Sequence, residues 1–450
     1  MKRLLIQTQL SNYDTNGMFI LEADSGWQMV MGRVRQMLKL NSELHITVMG
    51  PICDGDDRQV ITHPRDVNPD LWEKYGLHGE NRLHYHGHKI IANALVTRYD
   101  LDWQSLAKGL DLNLQKTGSV PKWDAVYIND PMHLRNFKAL FFIEGGYQPR
   151  FYVHSHFIDN PECPKFPTQA SLWLGQCEAA IKADFNFWQC GSSMDVFFES
   201  MGKQFHPDVV DSVRAKSLPW DDGYSSEEIN TPPNMSNVRF DIGLLEKWKL
   251  LNKPIIFVPN RIGGQGRSSD YTNCGKFMFE LLPQLHKRRQ DFVVIAGNPS
   301  QKFSNFELET QCGPFGYVNL VPNALNRDEF KLIARYASIA IGLYDQDSYG
   351  GTVARECIEL ECWPLWLDRY EYANIAKEAG GYPYLAKDWS DIVSVTSRLL
   401  DQVIHIKTAY TTSFSHPLRN GWMSNLQRVV WNKCSYEATT LPAMKMMNLL

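Results

Sequence analysis

Residues 339–368, IAIGLYDQDSYGGTVARECIELECWPLWLD, constrain the fold of this chain more than any other stretch. An apolar run at 339–343 reads as a buried strand and leads into a short acidic and glycine loop at 345–351. A helical segment from Thr352 to about Glu361 follows, then a second apolar run at 364–367. Strand, glycine loop, helix and strand form half of a nucleotide-binding unit. Small residues before a helix let backbone N–H groups approach a phosphate, and the helix dipole favours the anion there. Gly350 and Gly351 supply that approach. Glu356, one turn into the helix, can accept from ribose hydroxyls, while Arg355 can face phosphate or solvent. A Gly-Gly before a helix is more often only a turn, so the loop alone is a weak signal.

The spacing within SYGGTVARECIELECWPL adds to it. This segment resembles the signature of retaining GT-B glycosyltransferases of the family 4 type, in which two acidic residues eight positions apart flank a glycine. It is similar above all to the form in tRNA-queuosine mannosyltransferase-like proteins, where Pro-Leu follows the second Glu by eight residues, as Pro364-Leu365 follow Glu356. The first acidic position is Ser348 here, after Asp345 and Asp347. The resemblance implies an α/β chain of the GT-B class, with two Rossmann-like domains facing across a cleft. It implies donor contacts at Ser348, Gly350, Gly351, Thr352 and Glu356.

Other segments fall into the same pattern. Residues 3–8 read as the first strand, followed by Asn16-Gly17, a helix over 28–40 and a strand over 43–49. Strands are expected at 124–129, ending at Asp130, and at 150–154, ending in His154-Ser155-His156. RFYVHSHF is similar to a strand in phage DNA alpha-glucosyltransferases, and in GT-B enzymes such a His bonds a hydroxyl of the donor sugar, the role implied for His154. A helix at 168–182 and a strand at 185–189 close the first domain; ADFNFWQCGSSMDVFF is similar to the mannosyltransferase-like proteins there. Acceptor contacts are placed at Asn16, Gly17, Asp130, Ser155 and His156.

The stretch 202–240 is rich in proline, serine and acid and reads as a linker. The expected domains are 1–201 for the acceptor, 241–404 for the sugar nucleotide, and a 405–450 segment returning to the first. PIIFVP at 254–259 opens the second domain and runs into Asn260-Arg261 and a glycine-serine loop with Arg267, before a helix carrying Lys276. Guanidinium forks match phosphate oxygens. In the resembling families an Arg after this strand and a basic residue before the helix neutralise the departing pyrophosphate, which assigns Arg261 and, as its partner, Lys276 or Arg267. Strands at 292–296, with Gly297-Asn298-Pro299 after it, and at 317–321, then a helix at 328–336, complete the unit.

With 450 residues and a formal charge of −4, the chain holds two domains and shows no overall nucleic-acid footprint. Nine cysteines lack paired metal spacing, and their odd count favours a reducing compartment. His78, His84, His86 and His88 read as strand or loop histidines rather than metal ligands. No run approaches a membrane span, and MKRLLIQTQ reads as a first strand, not a leader. A cytoplasmic location is expected, in a host cytoplasm if phage-encoded.

The function read from these segments is a glycosyltransferase without cofactor or metal, taking a UDP- or GDP-sugar as donor substrate. The resemblances incline the acceptor toward a hydroxymethylated base in DNA or a base in tRNA, with Trp27, Tyr85, Trp103, Arg33, Arg35, Arg135 and Lys138 available to stack and steer it. A glycan acceptor, a nucleotide-sugar epimerase and a sugar-nucleotide sensor remain open.

Overall fold

A computed structural model describes residues 1–8, 25–51, 61–62, 76–77, 79–88, 90–92, 99–156, 158, 169–259, 273–298, 318–322, 325–343, 352–410 and 417–450. Contact density divides the chain into two units, Met1–Gly223 with Tyr436–Leu450, and Tyr224–Ser435.

Strands that are apolar at every position need cover on both faces, which is what parallel sheets flanked by helices provide. In the first unit β1 (Lys2–Gln7), β2 (Leu44–Pro51), β3 (Ile61–Thr62), β4 (Leu83–His88), β7 (Ala125–Ile128), β8 (Arg150–Ser155), β9 (Phe185–Trp188) and β10 (Ser217–Pro219) form one sheet, in the order β10-β9-β8-β7-β1-β2-β4-β3. Every pairing is parallel except β3 on β4. A separate antiparallel pair joins β5 (Ile90–Ala92) to β6 (Tyr99–Leu101). The helix Ser25–Leu40 buries Trp27, Val30, Met31, Val34 and Met37 in the core of this unit.

That core is completed by the end of the chain. Tyr436, Ala443, Met444, Met447 and Leu449 are all buried in it. The Tyr436 ring lies where Gly32 has no side chain. Tyr152 Oη donates to the Met447 carbonyl at 2.9 Å, and Asn41 Nδ2 to that of Leu449 at 2.6 Å.

The second unit holds a six-stranded parallel sheet. Its strands are β11 (Ile255–Val258), β12 (Val293–Asn298), β13 (Val318–Pro322), β14 (Ile339–Gly342), β15 (Trp363–Leu367) and β16 (Leu385–Ala386), ordered β13-β12-β11-β14-β15-β16. β14 and β15 are buried at every residue, as their continuous apolar sequence requires. A side chain at Gly342 would sit 2.6 Å from Ala354 Cβ and 2.7 Å from the Trp366 ring, so the missing Cβ lets the helix Thr352–Glu359 settle on β14.

The stretch 202–240, read from sequence as a linker, is ordered: it carries the helix Pro207–Arg214, β10, the helix Ser226–Asn230 and a 3-10 turn at Met235–Asn237. The histidines of 84–88 lie on β4; His86 is fully buried and His84 stacks on His45 at 6.3 Å.

Candidate active site

In open α/β sheets, ligands bind beyond the strand C-termini where the strand order reverses. The first sheet reverses between β1 and β7, and the crevice there is spanned by one side chain. Gln7, the last residue of β1, is fully buried, and its Oε1 accepts from the backbone N–H of Asn129 at 3.1 Å and of Asp130 at 3.0 Å. Asp130 in turn caps the turn Pro131–His133 by accepting from Met132 N. The next strand, β8, delivers His154 and Ser155, with His156 directly after it.

These histidines belong to a charged cluster organised by Arg33, which is only 1% exposed. Its Nη1 donates to Tyr127 Oη at 2.7 Å, and its Nη2 to the carbonyls of Trp220 at 2.9 Å and Asp221 at 2.8 Å. The same Nη2 lies 3.4 Å from Asp222 Oδ1 and 3.4 Å from His154 Nε2, and the guanidinium stacks 4.2 Å from the Trp220 ring centre. His154 Nδ1 meets Asn129 Oδ1 at 3.2 Å, and its Nε2 meets the Trp220 carbonyl at 3.1 Å. His156 Nδ1 meets Asp222 Oδ2 at 2.7 Å. Arg33 and Tyr127 thus serve this cluster from inside the fold, and neither Arg33 nor the buried Trp27 and Tyr85 presents a surface for stacking a base, which corrects the sequence reading of these three. Arg33 stands three residues after Val30 and four before Met37, on the apolar face of its helix, and Tyr85 lies on β4, buried in the core.

His154, His156 and Asp222 each offer a ligand atom within 4.8 Å of the others, a spacing that a divalent ion can bridge. The donor set would suit zinc. Arg33 Nη2, however, contacts both His154 and Asp222 at 3.4 Å, so the guanidinium already supplies the positive charge.

Burial first, then Arg33 and His156, hold the His154 imidazole well below its ordinary pKa, and burial takes His86 down to about 4. Both rings are therefore neutral when folded and gain a proton in the unfolded chain as pH falls through 6.5, so the stability they lend is present above that value and lost below it. His86 alone is expected to cost the first unit about 3 kcal/mol by pH 4. Denaturant midpoints should fall steadily from pH 7 to pH 5; a flat profile would contradict the burial of both rings.

In the second unit the sheet reverses between β11 and β14. β11 ends at Val258 and β14 at Gly342. Arg261, Arg267, Ser348, Gly350 and Gly351 lie outside the described residues, as do Asn16 and Gly17 in the first unit. Thr352 begins the helix Thr352–Glu359. Glu356 on that helix is buried and takes a two-pronged pair from Arg327, with Nη1 to Oε2 at 2.8 Å and Nη2 to Oε1 at 3.1 Å. Arg327 also binds Glu228 at 2.5 Å, and Lys331 adds a contact to Glu228 at 3.4 Å. Burial pushes Glu356 up, against the pull of Arg327. Glu228 stays below its ordinary value, because Arg327 and Lys331 outweigh burial.

One sequence expectation changes here. Arg355 faces neither phosphate nor solvent: it is fully buried and donates to Cys434 Sγ at 3.1 Å. Lys276 is placed with its Nζ 4.6 Å above the Trp389 ring, a cation–π contact. The sequence marks Arg33 only as a surface group that could steer a base, and nothing in it marks Asp222, Arg327 or Glu228 as site residues. Asp222 and Glu228 lie in a stretch with linker composition, and Arg327 has only a helix-start context.

No family model matches the sequence, and no curated protein does. Solved structures do match along the whole chain. The E. coli trehalose-6-phosphate protein bound with UDP-2-fluoro glucose aligns with a TM-score of 0.62 at 12% identity, over 100% of this chain and 99% of that one. HepE from Anabaena in complex with UDP-glucose gives 0.61 at 10% identity, over 100% of both. The UDP-forming alpha,alpha-trehalose-phosphate synthase of Burkholderia xenovorans, in complex with glucose-6-phosphate, gives 0.63 at 11% identity, also over 100% of both. Such identities speak for the fold, which is the GT-B type with two Rossmann-like units.

Proposed function

We propose that this chain is a glycosyltransferase that moves a sugar from a nucleoside-diphosphate sugar to a hydroxyl acceptor. The observation that carries the reading is the full-length match of both Rossmann-like units to structures that hold UDP or UDP-sugars. The second unit would take the donor. Its sheet reverses between β11 and β14, and the segments that follow these strands bear Arg261, Arg267, Ser348, Gly350 and Gly351, a set suited to a diphosphate. The barrier is heterolysis of the bond from sugar to diphosphate, and fixed positive groups at the leaving oxygen lower it. Glu356, already buried against Arg327, has lone pairs left for ribose hydroxyls.

A finer reading rests on motif resemblance alone. Retention at the anomeric carbon and a modified base in DNA or tRNA follow from the segments 150–156 and 339–368. A glycan acceptor is the second reading, favoured by the burial of Trp27, Tyr85 and Arg33, which removes three groups that a base would use.

The test is incubation with UDP- and GDP-sugars together with duplex DNA carrying hydroxymethylated pyrimidines, bulk tRNA or oligosaccharides, followed by mass analysis. A gain of one sugar mass names donor and acceptor. A nucleotide sugar recovered with an altered sugar would point to an epimerase, and binding without turnover to a sensor. Arg261→Ala is expected to weaken UDP-sugar binding by about tenfold to a hundredfold, the worth of a charged hydrogen bond; unchanged binding would move the diphosphate elsewhere.

A further inference from the structure

We infer that the face around Leu250 and Leu251, at the strand N-terminal edge of the second unit's sheet, docks this protein on an anionic lipid surface. Such docking goes beyond the transferase reading and does not depend on it. The helix Gly243–Leu250 turns Leu245 and Trp248 into the core of the second unit. At about 100° per residue, Leu250 stands about 200° around the helix from Trp248, on the opposite side. It is 82% exposed, more than any other large apolar side chain among the described residues, and Leu251 after it is 57% exposed. The helix end holds them there. The N–H of Leu251 donates to the Lys247 carbonyl at 3.0 Å, that of Asn252 to Lys249 at 3.0 Å and that of Lys253 to Trp248 at 3.1 Å, while Asn252 takes a left-handed φ of 52°. A left-handed residue at this place closes a helix and turns the chain out of it.

Cations surround the pair. β11 and β12 are parallel neighbours with Ile255 opposite Val293, so the segments leading into them, 250–254 and 286–292, lie side by side at one edge of the sheet. Lys247 and Lys253 bring positive charge to this edge, as do Lys287 and Arg288 at the end of the helix Leu282–Arg288. Burial first, then the charge of Lys253, lowers the His286 imidazole, which fits this closeness. The acids of the edge are already engaged. Glu246 accepts from Tyr336 Oη, and Asp291 and Asp401 pair with Arg289 at 2.5 Å and 2.7 Å. The whole chain carries a formal −4, so the positive excess is local.

Charge and shape together select the occupant. Phosphates of DNA or RNA would satisfy the cations and leave both leucines in water. A peptide helix needs a groove to lie in, whereas a side chain as exposed as Leu250 projects from the surface. A bilayer with anionic headgroups answers both features: the headgroups attract the cations, and the leucines enter the boundary with the acyl chains. Docked at this edge, the second unit keeps the C-terminal ends of β11 and β14 turned away from the lipid.

The test is co-sedimentation of the full chain with vesicles of phosphatidylcholine, alone or mixed with phosphatidylglycerol, at low and high salt. Binding is expected to the mixed vesicles only, and should weaken as salt rises. Lys287→Gln with Arg288→Gln should weaken it about twentyfold, each cation near such a surface being worth about fivefold. Leu250→Ser with Leu251→Ser should weaken it about tenfold or more, through the lost apolar insertion. All four side chains are exposed, so the melting transition should stay as in the wild type. Vesicle binding is read without nucleotide, so it stands or falls apart from the transferase reading. Lipid docking is overturned if the wild type binds no vesicle, or if the leucine variant binds mixed vesicles as the wild type does. It is overturned too if duplex DNA binds through Lys287 and Arg288 with no effect of the leucines, or if the leucines instead hold two copies of the chain together without vesicle binding.

Discussion

Replacing Arg33 with Met is expected to destabilise the first unit by about 3–5 kcal/mol, the cost of leaving a buried charge partner and its acceptors unmatched. The size follows from what the guanidinium serves. Without it, Asp222 loses its cation, the Trp220 and Asp221 carbonyls lose their donor, and Tyr127 Oη loses a partner at 2.7 Å. For a unit of this size that is roughly a 10 °C fall in the melting transition assigned to it. Arg33→Lys keeps the charge but not the fork, and should recover only part of the loss. The measurement is differential scanning calorimetry of the full chain; a shift under about 2 °C would show that water replaces the guanidinium at no cost.

The second large effect is expected at Arg327. Arg327→Met leaves Glu356 and Glu228 close together without the cation between them, and the second unit should lose about 3–5 kcal/mol at neutral pH. Its pH dependence has a definite sign. In the wild type Glu228 sits below its ordinary pKa, so its contribution is present above that range and lost as pH falls through the folded value. In the variant both carboxyls are pushed up by burial and by each other, so stability is lost as pH rises. Wild type and variant should therefore converge toward pH 5 and diverge toward pH 8 in urea unfolding. A constant gap would mean that the two carboxylates do not share Arg327. If Glu356 holds donor hydroxyls, as proposed, UDP-glucose affinity should also fall about tenfold or more, because Glu356 loses the pair that orients it.

Most of the fold was legible because parallel strands advertise themselves. The apolar runs at 3–8, 150–154, 254–259 and 339–343 each became a strand within a residue or two. Each is buried on both faces, so nothing but length and flanking turns was needed to find it. The candidate site was legible only where a residue ends or follows such a strand, as His154 near the end of β8 and His156 just after it do. Arg33 and Arg327 are helix residues whose partners, Asp222 and Glu228, lie 189 and 99 positions away. A single sequence has no periodicity that reports a pairing across such distances. Glu356 was read from its motif, yet the arginine that holds it was not, because guanidinium pairs are made by tertiary geometry rather than by local spacing.

The return of residues 436–450 to the first unit sets an order of assembly during synthesis. Residues 224–435 are contiguous and emerge as a complete unit, whereas the core around the helix Ser25–Leu40 lacks Tyr436, Met444 and Leu449 until those residues have left the ribosome. The first unit is thus completed only after the second has emerged. Until then, the seat at Gly32 that the Tyr436 ring fills stays open, with apolar surface of the kind chaperones bind.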